Sequence, residues 1–266
     1  MKTCAALRRR GRSGPRRRMA GRSRLPASTR ALAARMDKAV REYRMLRAGD
    51  RLLVAVSGGA DSMSLLHLLS RRLPVYAPGA RLRAVYVDMG FGEGSEERCL
   101  IMRAFWRQLG VSGRILRTTI GPLAHSEANH ENPCFLCSRI RRKQIFATAE
   151  LFDCNRIAFG HHKDDLVETL LLNMVFGREI STSPPNLALH GGRYHLLRPM
   201  LFAEEELVKA YAADNAIPLF VQECPSDGTS RRQTIKEWLA ALEAEHPGSR
   251  ENIFQSMRRV KPDYLL

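Results

Sequence analysis

The sequence predicts an α/β fold, a parallel sheet with helices on both faces, on three observations. The apolar run Leu52 to Val56 is continuous rather than alternating, the pattern of a strand covered on both sides, and Leu82 to Val87 reads as a second strand. Each run is followed by a segment with apolar residues at helical spacing. The stretches Ser57-Gly58-Gly59, Asp88-Met89-Gly90 and Gly160-His161-His162 each directly follow a strand-like run. They therefore fall at the carboxyl edge, where open parallel sheets collect ligands.

Taken in order, residues 1–35 carry Lys2 and eleven arginines with no acidic residue, so they hold +12 of a net charge of +16. The run RRRGRSGPRRRMAGRSR has almost nothing to bury and predicts a disordered basic tail. It suits electrostatic contact with RNA, an acid-free presequence, or an upstream start before a true start at Met19 or Met36. Residues 36–220 read as the nucleotide-binding domain and 221–266 as a small helical extension. Ala31 to Met45 predicts a helix leading to the first strand. Met63, Leu65, Leu66, Leu68 and Leu69 mark the helix after the glycine pair.

Beyond the second strand, Glu96 to Leu109 predicts a helix with Leu100, Ile101, Phe105 and Leu109 facing inward, and Arg114 to Thr118 a short strand. The polar stretch GPLAHSEANHENP is long enough for a functional loop. A helix opening at Cys134 follows, then a strand at Asn155 to Phe159 and a helix at Leu166 to Phe176. Ser181 to Arg198 reads as a hairpin-like excursion returning at Tyr194 to Leu197. Ala203 to Asn215 predicts a helix, Pro218 to Val221 a strand, and two helices close the chain. One of these contains Arg231, Arg232 and Lys236, read as a solvated face, and the other covers Ile253 to Val260. No apolar run approaches the roughly 18 residues of a membrane span. A soluble, cytoplasmic protein is expected, with no membrane partner.

The glycine pair is the candidate phosphate site. Without Cβ atoms, Gly58 and Gly59 let the backbone aim its amides at an anion, and the following helix adds its free N-terminal amides. Ser57 and Ser62 offer hydroxyls, and Asp61 suits a helix cap or a Mg²⁺. The spacing is neither that of a P-loop, G-x-x-x-x-G-K-[ST], nor of a dinucleotide fingerprint, G-x-G-x-x-G. Asp88 lies at the same edge. In Gly160-His161-His162-Lys163-Asp164-Asp165, the adjacent acids suit helix caps, Mg²⁺ near ATP phosphates (Asp164), or acid/base work at the acceptor (Asp165).

Six cysteines stand at 4, 99, 134, 137, 154 and 224. In a chain of this length without a secretory signal, free thiols are expected rather than a disulfide framework. Cys134-x-x-Cys137 at a helix start is compatible with a redox pair, half a zinc site or a buried pair. With Cys224 it makes a trio suited to a [4Fe-4S] cluster with one open iron. Cys4, Cys99 and Cys154 read as tail or core residues.

Ser-Gly-Gly-Ala-Asp-Ser resembles the SGGxDS signature of the N-type ATP pyrophosphatases. With the C-x-x-C-S-x-x-R-R helix, the GHHxDD turn, Pro184-Pro185, Arg198-Pro199 and the later cysteine, the chain resembles the tRNA 2-thiocytidine synthetase family over about residues 35–260. That resemblance implies a Rossmann-like PP-loop fold of the adenine nucleotide alpha hydrolase type. It also implies ATP-dependent adenylation of O2 on a tRNA cytidine and then sulfur insertion to 2-thiocytidine.

By position, the resemblance makes Ser57, Gly58, Gly59, Asp61 and Ser62 the ATP loop and Cys134, Cys137 and Cys224 the ligands of a [4Fe-4S] cluster, and it sets Arg141 and Asp165 beside the reacting base. Asp88 and Gly160 join the ATP site by their place at the sheet edge, and Asp61 and Asp164 are the Mg²⁺ candidates by their chemistry. The implied partners are tRNA and a cysteine desulfurase-type sulfur donor, with room for a homodimer. Ala60 departs from the Lys usual in the family, with Lys163 or Arg141 expected to compensate. Pro225-Ser226-Asp227 stands in place of a second nearby thiol. The competing readings are a lysidine-type or thiouridine-type adenylating enzyme and a non-enzymatic basic RNA-binding protein. Thiolation requires Cys224 to meet Cys134 and Cys137 beside the glycine turn.

Overall fold

The computed structural model describes residues 25–228 and 230–264. Six strands form one sheet: β1 (Arg51–Val56), β2 (Arg81–Asp88), β3 (Ser112–Arg117), β4 (Arg156–Ala158), β5 (Asn186–Leu189) and β6 (Tyr194–Leu197). Their order is β3-β2-β1-β4-β6-β5. Every neighbouring pair is parallel except β5 with β6, the antiparallel hairpin at one edge. The chain steps outward from β1 to β2 and β3, then returns to place β4 on the other side of β1. That reversal opens a crevice beyond the carboxyl ends of β1 and β4.

The continuous apolar run of β1 follows from its two covered faces. Leu52, Val54 and Val56 enter one buried cluster, with α1 (Ala27–Glu42), α2 (Ala60–Tyr76), α3 (Ser95–Leu109) and α7 (Glu205–Asp214). Leu53 and Ala55 enter the opposite cluster, with Ile145 and Ala149 of α5 (Pro133–Leu151). Side chains alternate faces along a strand, so both sets must be apolar. Three further helices pack around the crevice: α6 (Lys163–Leu172), α8 (Arg231–Glu245) and α9 (Ser249–Ser256).

Several expectations are corrected. The helix that was to begin at Ala31 begins at Ala27, and Ser28, Thr29, Leu32 and Met36 are buried in it, so the basic tail does not extend to residue 35. Residues 1–24, with Cys4 and Met19, lie outside the described residues. A start at Met36 would cut this helix in half. The extension beyond residue 220 is no separate body, since Ile235, Leu239 and Phe254 belong to the main core. In α3 the buried face is Arg98, Cys99, Met102, Phe105 and Trp106, while Leu100 is exposed. The face is rotated because Arg98 turns inward to Asp88.

Pro218 to Val221 forms no strand and runs as an extended strap instead. The polar loop after residue 120 begins with a short helix, α4 (Ile120–Ala124). Met174 and Val175 are exposed, in a π-helical turn at Asn173–Gly177. Cys99 and Cys154 are core residues, as expected.

One buried polar group makes the fold acid-sensitive. His67 of α2 is 4% exposed, and its Nδ1 lies 2.6 Å from the Tyr211 hydroxyl of α7. Its ring stacks near Phe105. Burial, helped by nearby Arg71, pulls the imidazole pKa down to about 4. The folded state therefore binds this proton later than the unfolded chain, whose histidines titrate near about 6.5. The stability contribution is complete above about pH 6.5 and is lost as the pH falls from there toward about 4. His67→Gln should flatten this part of the melting-temperature profile. An equally steep acid slope in the variant would refute the assignment.

Candidate functional site

The connection from β1 to α2 forms the first wall of the crevice. Gly58 has φ +95°, a conformation that L side chains rarely adopt. Ser62 of the first helical turn closes the loop. Its hydroxyl accepts from Ser57 N–H (2.9 Å), lies 3.0 Å from Ser57 Oγ and donates to Gly59 O (3.3 Å). Ser57, Asp61 and Ser62 line a cavity of about 270 Å³ with Arg141, Gly160 and Asp165. Ser138, Arg142, Phe159 and His161 also face it.

The turn after β4 forms the second wall and is built for close approach. A Cβ on Gly160 would fall 2.8 Å from the Asp61 carbonyl carbon and 2.8 Å from Ser62 N, both backbone atoms of the α2 start. Gly160→Ala must therefore push the two walls apart. A melting-temperature loss of roughly 5–10 °C is expected, together with weakened ATP binding. Calorimetry would check both, and an unchanged Gly160→Ala protein would show the contact to be slack.

Two adjacent histidines then diverge. His161 stacks on Phe159 and accepts from Arg198 Nε at Nδ1 (3.2 Å). Burial holds its pKa down to about 4, so it is neutral, with its proton on Nε2. His162 is buried among Asp61 (3.8 Å), Asp164 (3.6 Å) and Asp165 (3.5 Å). Burial opposes its protonation, but the nearby carboxylates of Asp164, Asp165 and Asp61 outweigh it and raise the pKa, although Nδ1 makes no hydrogen bond of its own.

The neighbouring acids also separate in role. Asp165 caps α6 by accepting from His162 N–H (3.0 Å) and keeps a face on the cavity. Asp164 does not reach the cavity. It accepts from Glu205 N–H (2.8 Å) and Arg250 Nη1 (3.3 Å), which together with His162 pull its pKa down to about 2 against the cost of burial. The Mg²⁺ role expected for Asp164 is thereby corrected, because its lone pairs bind α7 and α9. Asp61, which is part-exposed in the cavity, keeps that role as a proposal.

Asp88 is corrected in the same way. It is 1% exposed, accepts from Gly90 N–H and Ser95 Oγ, faces Arg98, and does not line the cavity. It shapes the loop after β2. Lys163 cannot replace the absent lysine at position 60, since its Nζ donates to Glu204 (2.7 Å) and Glu251 (2.7 Å). Arg141 and Arg142 of α5 are the cations on the cavity. Arg141 Nε is buried without a hydrogen-bond partner, and burial depresses the guanidinium pKa. An unpaired buried donor is costly unless an anion meets it.

The cysteines stand outside the cavity lining, at the opening of α5 and on the segment that follows α7. Asn132 caps α5, its side chain accepting from Phe135 N–H (3.2 Å), so Cys134 and Cys137 occupy the first turns. The strap carrying Cys224 is fastened to the sheet edge at three points. Phe220 N–H donates to Gly58 O (3.1 Å), and the Phe220 ring fills the space a Gly58 side chain would need, within 2.3 Å of that Cβ position. Gln222 accepts from Met89 N–H (2.9 Å) and donates to the Tyr86 hydroxyl (3.1 Å). Ser226 Oγ lies 2.9 Å from His125 Nε2, beside α4, whose Ile120 carbonyl receives the Cys137 thiol at 4.0 Å.

The result is that Cys224 and Cys137 pack on the same core cluster. The Cys137 thiol pKa is raised by burial and then by the proximity of Cys224 and Cys134. Among the described residues no three His, Cys, Asp or Glu side chains stand close enough for one metal ion. Zinc would need its sulfurs about 4 Å apart, given Zn–S bonds of about 2.3 Å. A cluster that takes one thiolate per iron spans a wider gap, and an all-thiol donor set suits it by its chemistry.

With the geometry in place, residues 28–242 match the PP-loop domain family model. A tRNA-cytidine(32) 2-sulfurtransferase from Methylobacillus flagellatus is 37% identical over 243 residues, covering 88% of this chain and 77% of its own. The enzyme of the same description from Anaeromyxobacter dehalogenans is 37% identical over 242 residues, covering 89% and 81%. This chain belongs to the tRNA-cytidine(32) 2-sulfurtransferase family of PP-loop proteins. Among solved structures, the U34-tRNA thiolase NcsA from Methanococcus maripaludis, determined with its [4Fe-4S] cluster, has a TM-score of 0.70. It is 21% identical, covers 90% of this chain and 81% of its own, and shares the fold.

Beside other members of the family, the site holds residues that sequence reasoning passed over. Arg142, Ser138 and His161 face the cavity, although their motifs offered no reason to prefer them. Arg232 and Lys236, read as a solvated face, reach buried Glu168 instead, at 3.0 and 3.7 Å. Arg232 also approaches Asp165 (3.5 Å). An unpaired Glu168 at 1% exposure would have been the signal, but burial is not visible in a sequence.

Proposed function

We propose that this chain is an ATP-dependent tRNA sulfurtransferase that converts a cytidine to 2-thiocytidine. One observation supports the reading: the strap that packs Cys224 on the same core cluster as Cys137 is the strap whose Phe220 packs on Gly58 of the nucleotide loop. In this reading the loop amides at 57–59 and the α2 N-terminus take the ATP phosphates. Asp61 holds Mg²⁺, and Arg141 and Arg142 stabilise charge developing on the α-phosphate and the departing pyrophosphate. The cytidine O2 attacks the α-phosphorus, which turns a poor leaving group into AMP. His161, neutral with a proton on Nε2, donates to the acceptor, and Asp165 holds the opposite side of the base.

Cys134, Cys137 and Cys224 are the residues that would hold a [4Fe-4S] cluster. Bound there, it would supply sulfur as a soft nucleophile at C2. Binding the metal deprotonates all three thiols, and the buried Arg141 guanidinium lies within electrostatic reach of Cys137 to balance that charge.

Three partner readings go with this proposal. Sulfur arrives from a cysteine desulfurase-type donor. A homodimer could use the exposed Met174, Val175, Phe176 and Ile180. The described cysteines are free, which suits a reducing cytoplasm, and no helix among the described residues is long and apolar enough to cross a membrane.

The test is nucleoside mass spectrometry of tRNA incubated with anaerobically reconstituted protein, ATP, Mg²⁺ and sulfide. The expected result is 2-thiocytidine with matching AMP and pyrophosphate. Pyrophosphate release without sulfur incorporation would overturn the reading in favour of another adenylating enzyme.

A further inference from the structure

The outer face of α5 carries a second groove that adjoins the catalytic cavity. It is lined by Phe135, Ser138, Arg139, Arg142, Lys143 and Phe146 and encloses about 500 Å³. Ser138 and Arg142 line both spaces, so the groove borders the cavity. The lining positions recur three or four residues apart, forming one stripe along the helix. Phe135 is 60% exposed, an unusual position for a large aromatic, with the Arg139 guanidinium 5.4 Å from its ring centre. Phe146 closes the other end, about 16 Å along the helix axis, held edge-on by Tyr194 and His190.

The charge of the groove is one-sided. Arg139 is paired with Glu131 (2.9 Å), while among the described residues Arg142 and Lys143 have no ion-pair partner. Cations beside exposed aromatic rings match the two parts of unpaired RNA, phosphates for the former and base faces for the latter.

We infer that this groove holds the nucleotides flanking the reacting cytidine, with a neighbouring unpaired base stacked on Phe135 and its phosphates on Arg142 and Lys143. The inference rests on the tRNA reading above and adds to it where the substrate loop lies and which side chain reads its unstacked form. Stacking on Phe135 requires an unpaired neighbour, so a duplex-embedded cytidine is rejected. Phe135 is a positioning residue and touches no reacting atom.

The test uses the full chain with an anticodon stem-loop RNA carrying 2-aminopurine beside the target cytidine. Wild-type protein should alter the probe's fluorescence on binding, and Phe135→Ala should abolish that change while weakening affinity roughly tenfold. Because no charge is removed, the dependence of log affinity on log salt should keep its slope in Phe135→Ala. Lys143→Gln should reduce that slope by about 0.7–0.9. Phe135 contributes nothing to the core, so its variant should melt with wild type. Equal affinity and an equal fluorescence change in Phe135→Ala would overturn the inference while leaving the thiolation reading intact. A wild-type protein that binds no stem-loop would overturn both.

Discussion

Replacing Cys224 with serine is expected to abolish thiolation while leaving ATP binding within about twofold of wild type. Outer-shell partners of metal ligands alone typically cost about 10–100-fold, so loss of one of three ligands should exceed the upper end of that range. The nucleotide cavity is untouched, because Cys224 is not among its lining residues and the Phe220, Gln222 and Ser226 attachments of the strap remain. The measurements are 2-thiocytidine by nucleoside mass spectrometry and the affinity for a non-hydrolysable ATP analogue by calorimetry. Full thiolation by Cys224→Ser would refute a three-thiol site. A parallel collapse of nucleotide affinity would mean that the thiol acts through the fold.

The second large effect is expected at Gly58. Alanine there meets two penalties. A left-handed backbone costs an L residue about 1–2 kcal/mol, and its Cβ would lie 2.3–2.7 Å from the Phe220 ring. Phe220 is only half-buried, so it can yield, but it carries the strap with it. Gly58→Ala should therefore damage both functions at once, lowering ATP affinity and exposing Cys224 to thiol reagents. The double variant Gly58→Ala with Phe220→Ala removes the clash and leaves only the backbone penalty, so ATP affinity should partly return. Alkylation rates of Cys224 and analogue titrations read the two effects separately. A Gly58→Ala protein with normal ATP affinity and an unreactive Cys224 would show that the loop and the strap are independent.

The parts of this molecule legible in the sequence are those set by local pattern. The strands β1 and β2, the helix after Gly59 and the helix start at Cys134 depend on nearest neighbours, and they stand where the pattern put them. Cys134, Cys137 and Cys224 stood out because thiols are rare and their chemistry is narrow, and their role as cluster ligands is a proposal. What escaped depends on partners distant in the chain. Asp164 and Asp165 are adjacent and chemically identical, yet α7 and α9 take one and the cavity keeps the other. Lys163 looked free until Glu204 and Glu251 closed on it. Pro218 to Val221 has strand composition but pairs with a loop carbonyl rather than a strand, so no sheet forms. The first turn of α1 follows an arginine-rich run that hid it, although Leu32 is wholly buried.

With alanine at position 60 and Lys163 held elsewhere, the cations facing the cavity stand on α5 rather than in the glycine turn. A triphosphate bound there, as proposed, would tie that turn to the helix that presents Cys134 and Cys137. Occupancy would stiffen the helix, and departure of the spent nucleotide would slacken it. The energy of one cofactor would then be written into the posture of the ligands proposed for the other, with no dedicated messenger between them.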